Sequence, residues 1–189
     1  MAVTTLDAKT ALLVIDLQKG VFSLLPAEKA EALVAPARAL TRAFRERNLP
    51  LVLVTVAGGA PGRTEQPRRS PQFADGWSDL IPELDQQPSD HRLVKHTWGA
   101  FMNTGLDELL KRLGVTHVVV IGVSTSIGVE STARQAYEHG FNVTLAIDAM
   151  ADLNPEAHFN SVTRIFPRLG ETGTTQEIIQ LLEGTRSVE

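Results

Sequence analysis

The sequence predicts an α/β fold, one domain built on a parallel sheet with helices on both faces. Three observations carry this. Five short runs, at residues 11–15, 51–56, 93–94, 117–121 and 143–147, are almost continuously apolar, as strands buried on both faces are. Segments with helical spacing of apolar residues alternate with them, the order expected of parallel strands joined by crossover helices. A length of 189 residues with 43% hydrophobic content is enough for one core and suits one domain spanning residues 1–189. No internal repeat, linker or low-complexity tract divides it.

Each element has its own local reason. Pro36 suits the first turn of a helix whose apolar stripe is Ala37, Leu40 and Phe44, with Asn48 and Pro50 as stop signals. Helices are expected over 107–113 and 129–139, closed by Gly114 and Gly140. The last helix is expected to begin near Thr174 and Thr175, whose hydroxyls can cap it. Residues 57–71 are rich in Gly, Pro and Arg without any period and read as a long loop, a common form for a binding segment. Residues 75–89 contain Pro82 and Pro88 and read as irregular chain with one short helix.

Composition narrows the function classes. A net charge of −4 argues against nucleic acid as a main partner, because duplex affinity is built from many Lys and Arg contacts to phosphate. No apolar run approaches the roughly 18 residues of a membrane span, so no membrane partner is expected. The first seven residues have neither the basic nor the apolar region of a secretory signal, and a cytoplasmic protein is the expectation. The chain has no cysteine, which removes disulfides, thiolate metal sites and thiol nucleophiles together. Arg63, Arg68 and Arg69 form a local basic cluster that reads either as a solvated loop face or as a receiver for an anionic substrate.

Three segments stand where a parallel sheet places its chemistry. Asp16 ends the first apolar run, within Asp16-Leu17-Gln18, at the carboxyl edge where ligand crevices open. A helix cap or turn-forming Asp fits the same local pattern. Lys95 follows Leu93-Val94 and begins the pattern Lys95-x-x-x-x-Ala100-Phe101; by itself, a Lys there reads as a solvated strand end. The stretch from Gly122 through Gly128 to Arg134 follows the fourth run and opens a helix, so it reads as a strand-to-helix turn.

Together these segments resemble the isochorismatase-like hydrolases, and the resemblance runs from about residue 11 to about residue 182. It implies a Rossmann-like sheet of six parallel strands, a homo-oligomer, and a small-molecule substrate. Most members, the cysteine amidases among them, carry a nucleophilic Cys at the seventh motif position, counting Gly122 as first; here that position is Gly128. True isochorismatases also carry Gly there and hydrolyse a vinyl ether without a covalent intermediate. The resemblance makes Asp16 the catalytic carboxyl, here a proton donor, and Lys95 the active-site ammonium. Gln18 would lean on the substrate, and Arg63 would meet a substrate carboxylate. Trp98 and Phe101 fit pocket walls, though core packing explains them equally well. Ser124 and Thr125 head the helix whose N–H groups would face an anion, and the Val123–Ser124 peptide bond is implied to be cis.

No cofactor is expected. The resemblance places the metal ligands of nicotinamidases in an Asp-x-His of the loop after the second strand, and residues 56–69 contain neither Asp nor His. The five His residues, at 91, 96, 117, 139 and 158, show no ligand spacing, and His158 lies in a part of the pattern that reads as structural. Ser124, Ser126 and Ser131 are near Gly128, but a serine nucleophile needs an adjacent base with no evident source in the sequence. Ser131 and Thr132 read as small packing residues. Two other function classes stay open: a catalytically silent or ligand-binding homologue, and an amidase if the chain is an engineered variant.

Overall fold

The computed structural model describes residues 3–65 and 74–184. Strands β1 (Thr10–Ile15), β2 (Leu51–Val56), β3 (His91–Lys95), β4 (His117–Val123), β5 (Asn142–Ala151) and β6 (Glu171–Gly173) form one sheet in the order β3-β2-β1-β4-β5-β6, and every pairing is parallel. The expected α/β class and six parallel strands are both present. The five apolar runs are β1 to β5. β6 is a three-residue Glu-Thr-Gly strand on one edge that pairs with residues 144–146 of β5.

Side chains of successive strand residues point to opposite faces, so β1 feeds two cores. Leu12 and Val14 pack under α2 (Ala27–Glu46) and α6 (Thr175–Gly184), beside Leu33, Leu40, Phe44 and Ile178. Ala11, Leu13 and Ile15 pack on the other face under α3 (Leu106–Arg112) and α4 (Glu130–Glu138), beside Leu110, Ala133, Ala136 and Phe166. Burying each large aliphatic or aromatic side chain contributes about 1.5–3 kcal/mol. Among the described residues, no helix is long and apolar enough to cross a membrane.

One boundary differs clearly from the sequence expectation. Pro36 lies inside α2 rather than in its first turn. An interior proline sacrifices one helix hydrogen bond and costs about 3 kcal/mol or more. The buried stripe Leu33, Ala37, Leu40, Thr41 and Phe44 runs through it, and that burial outweighs the local penalty. Two short helices, α1 (Lys19–Phe22) and α5 (Pro155–Asn160), had no clear apolar period. Asn154 caps α5 through Oδ1, which accepts from the Glu156 and Ala157 N–H groups at 2.9 and 3.2 Å.

The two irregular segments and the start of the last helix follow the sequence reading. Residues 75–89 hold one short 3₁₀ turn at Pro82–Leu84. Residues 57–65 have no regular secondary structure, and Arg68 and Arg69 lie outside the described residues. Thr174 and Glu177 cap α6 reciprocally: the Glu177 carboxylate accepts from the Thr174 N–H at 2.7 Å, and the Thr174 hydroxyl accepts from the Glu177 N–H at 3.3 Å. The parallel arrangement brings the carboxyl ends of β1, β3 and β4 to one edge.

Candidate active site

Asp16 is the first residue past β1 and takes a left-handed backbone conformation, φ 53°, with its N–H donating to the Val54 carbonyl at 2.9 Å. Its side chain is buried, and its Oδ2 accepts from Lys95 Nζ at 2.7 Å. Lys95 ends β3, two strands away across β2, a separation of about 10 Å at the usual strand spacing. Its four-carbon stem spans that gap, and the whole residue is only 2% exposed. The ammonium also donates to the Thr97 carbonyl at 3.2 Å.

The other carboxyl oxygen, Asp16 Oδ1, is buried with no hydrogen-bond partner among the described residues. Burial pushes the Asp16 pKa up to about 6, against the downward pull of the Lys95 charge and hydrogen bond. A carboxyl so placed exchanges its proton within the neutral range, with one oxygen uncommitted.

β4 delivers the third component. Gly122 has φ 130°, and a Cβ there would stand 1.9 Å from the Ile15 carbonyl oxygen, so only glycine allows this approach of β4 to β1. The Val123–Ser124 peptide bond is cis, as the resemblance implied. One π-helical turn, Thr125–Val129, then leads into α4, with the Val129 N–H donating to the Ser124 carbonyl at 3.2 Å. Such turns recur at functional sites. Gly128 lies in it, buried, where a Cβ would stand 3.1 Å from Asp16 Oδ2 and 3.2 Å from Ile15 Cγ2. Position 128 therefore faces the Asp16–Lys95 pair directly.

A braced loop fixes Lys95. The buried Thr132 hydroxyl donates to the Gly128 carbonyl at 2.7 Å and accepts from the Ala100 N–H at 3.1 Å. Gln135 Oε1 accepts from the Phe101 N–H at 3.1 Å. One helix face thus ties the turn carrying Gly128 to the loop after Lys95, so Thr132 does more than pack.

The family model described as the isochorismatase domain matches residues 10–177. The chain belongs to the isochorismatase family. It is 37% identical over 179 residues to the uncharacterised isochorismatase family protein YwoC of Bacillus subtilis, covering 91% of this chain and 93% of that protein. It is 38% identical over 185 residues to the uncharacterised family protein YecD of Escherichia coli O157:H7, covering 94% and 98%. A solved isochorismatase family structure from Burkholderia thailandensis superposes with a TM-score of 0.90 at 39% identity, over 95% of this chain and 98% of that one.

Within this isochorismatase-family hydrolase, Asp16, Lys95 and Gly128 come together, and the other expected site residues scatter. Gln18 is fully buried and its amide is spent on backbone: Nε2 donates to the Val56 and Trp77 carbonyls at 3.0 and 3.3 Å, and Oε1 accepts from the Val56 N–H at 2.7 Å. It ties the ends of β1 and β2. Arg63 is exposed on the loop after β2, and Trp98 is 64% exposed on the loop after Lys95. Phe101 belongs to the core, stacked on His139 at 5.0 Å, so packing accounts for it. Ser124 is half-buried at the cis bond, while the buried Thr125 bonds through its hydroxyl to His158 Nδ1 at 2.8 Å.

Two residues near the motif escaped the sequence reading. Asp152 follows β5 and is buried; its Oδ2 accepts from both the Ser126 N–H and hydroxyl at 2.7 Å, and its Oδ1 from the Asn154 N–H at 2.9 Å. It anchors the π turn to the sheet edge. The apolar run read from the sequence stops at Ile147, before Asp148, and only the longer β5 of the structure puts Asp152 at a strand end as Asp16 is. His158, read as structural, reaches the motif through Thr125, a contact that only the tertiary fold creates.

Proposed function

We propose that the chain is a cofactor-independent hydrolase of the isochorismatase type, cleaving the vinyl ether of isochorismate or a similar small carboxylated substrate, with Asp16 as general acid. The observation that carries this reading is the Asp16 carboxyl, buried, with a pKa near 6 and one oxygen unpartnered, facing a glycine where a side chain would crowd it. A proton donor must start protonated, and burial favours that state. Gly128 is read as the position that bears the nucleophile in cysteine amidases. Its missing side chain removes covalent chemistry and lets the turn lie close against the Asp16 carboxyl.

The reaction balances with one water. Protonated Asp16 donates to the terminal methylene carbon of the enol ether, the C=C π pair forms the new C–H bond, and an oxocarbenium ion results. Water adds to the cationic carbon and returns a proton to the Asp16 carboxylate. The hemiketal then breaks its bond to the ring oxygen, releasing pyruvate and the ring alcohol. Lys95 holds Asp16 in place and contributes positive charge for a substrate carboxylate, a task the exposed Arg63 shares when its loop lies over the substrate.

Pyruvate release from isochorismate, coupled to lactate dehydrogenase, tests the reading. Turnover that is linear in protein concentration is expected. If the wild-type protein is inert on isochorismate and on a panel of small vinyl ethers, a silent, ligand-binding homologue replaces this proposal.

A further inference from the structure

A cavity lies on the α2 side of the motif turn, and the proposed reaction does not use it. It encloses ≈ 300 Å³, with apolar walls from Leu33, Met150, Ala151 and Pro155. That volume is at the small end for ligand pockets. Two groups able to carry positive charge line it, Lys29 of α2 and His158 of α5. The Lys29 ammonium donates to the Asp152 carbonyl at 2.9 Å, a neutral acceptor, and pairs with no carboxylate among the described residues. The two acidic residues on the cavity wall are engaged elsewhere. Asp152 is held by Ser126 and Asn154, and Asp148 Oδ1 accepts from the Thr175 N–H and hydroxyl at 2.7 and 3.0 Å.

We infer that this cavity is a second binding site, for a small monocarboxylate with a compact apolar body. Lys29 would pair with the carboxylate, the His158 ring would complete its coordination, and the apolar walls would take the body. Burial holds His158 below the usual imidazole range; the Asp152 charge pulls it up, and Lys29 pushes it down. Burial therefore favours the neutral ring. Thr125 Oγ1 and His158 Nδ1 lie 2.8 Å apart, and in the tautomer in which Nδ1 accepts from the hydroxyl the ring proton sits on Nε2 as a donor for a ligand oxygen. An occupant would touch the motif turn at two points, through His158 to Thr125 and through Asp152 to Ser126.

Benzoate is the probe, with benzyl alcohol as its uncharged counterpart, followed by NMR of the histidine rings and backbone amides in the full chain. Benzoate should shift the His158 ring and the Thr125 and Ser126 amides saturably, and benzyl alcohol should bind at least about tenfold more weakly, the usual value of a charge-assisted hydrogen bond. Lys29→Met, with an unchanged thermal midpoint, should weaken benzoate by a similar factor. Equal binding of the two probes would overturn the inference on wild-type protein alone, whatever the fate of the variant. Benzoate shifts confined to Asp16 and Gly128, or no shift at His158, would also overturn it. None of these outcomes depends on whether the chain hydrolyses a vinyl ether, so the two proposals fail separately.

Discussion

If Asp16 acts as the proton donor, kcat/KM must follow its protonated fraction. With a free-enzyme pKa near 6, that fraction is about nine-tenths at pH 5, about half at pH 6 and about a hundredth at pH 8. Going from pH 5 to pH 8 should therefore lower kcat/KM for isochorismate by about ninety-fold, with unit slope on the alkaline side. The direction follows from the chemistry: a general acid loses its proton as pH rises through its pKa, and the rate goes with it. A general base at the same position, as thiol chemistry requires, would give the reverse, a rise of about tenfold over the same interval. Initial rates of pyruvate formation in constant-ionic-strength buffers read this directly, since the substrate carboxylates are ionised throughout the range. A rate that climbs through pH 6, or stays level from pH 5 to pH 8, would refute the assignment of Asp16 as acid.

Other predictions follow from the same geometry. Lys95→Ala removes the charge that holds both Asp16 and an anionic substrate, so it should raise KM, lower kcat, and move the alkaline fall above pH 6, because the group opposing burial is gone; a fall still centred at pH 6 would contradict the pairing. Gly128→Cys places a Cβ 3.1 Å from Asp16 Oδ2, which needs only a shift of a few tenths of an ångström. Its thiol, beside Lys95 and the start of a helix, should have a pKa below the free value of about 8.5 and alkylate readily at neutral pH; sluggish alkylation would count against the site geometry. Wild-type protein should survive exhaustive chelation with its rate unchanged, since residues 56–69 provide neither Asp nor His as ligands; loss reversed by zinc, iron or manganese would reveal an unrecognised ligand set.

Much of the fold was legible because buried parallel strands advertise themselves. β1, β2 and β4 are almost wholly buried apolar runs, and their ends were found within two residues. β3 was seen only as Leu93-Val94 because it is an edge strand with alternating exposure, and Val94 itself is 49% exposed. β6 gave no signal: three residues, Glu-Thr-Gly, held by pairing with β5, carry no apolar pattern at all.

The site was legible in proportion to how local its cause was. Asp16, Lys95 and the turn with Gly128 each sit at the end of a strand, and the resemblance to a family linked them. Gln18 and Phe101 belong to the same motifs, but their sequence neighbourhood does not distinguish a residue facing substrate from one that ties strands or fills the core. The π turn was invisible because it depends on Asp152, 26 residues away, accepting the Ser126 N–H. Thr132 looked like a packing residue because its bond to the Gly128 carbonyl four residues earlier is an ordinary helix contact, and its other partner, the Ala100 N–H, is brought there only by the tertiary fold.

The most direct test of the central claim is Asp16→Asn, assayed at pH 6 for pyruvate release, with calorimetric affinity for a non-hydrolysable isochorismate analogue measured alongside. Asn fills the same space and can still accept from Lys95 but has no proton to give. General acid catalysis is worth about 10²–10⁴-fold, so kcat should fall by that factor while affinity stays within a few-fold. A variant that keeps the wild-type rate would contradict the account, because the proton would then come from elsewhere.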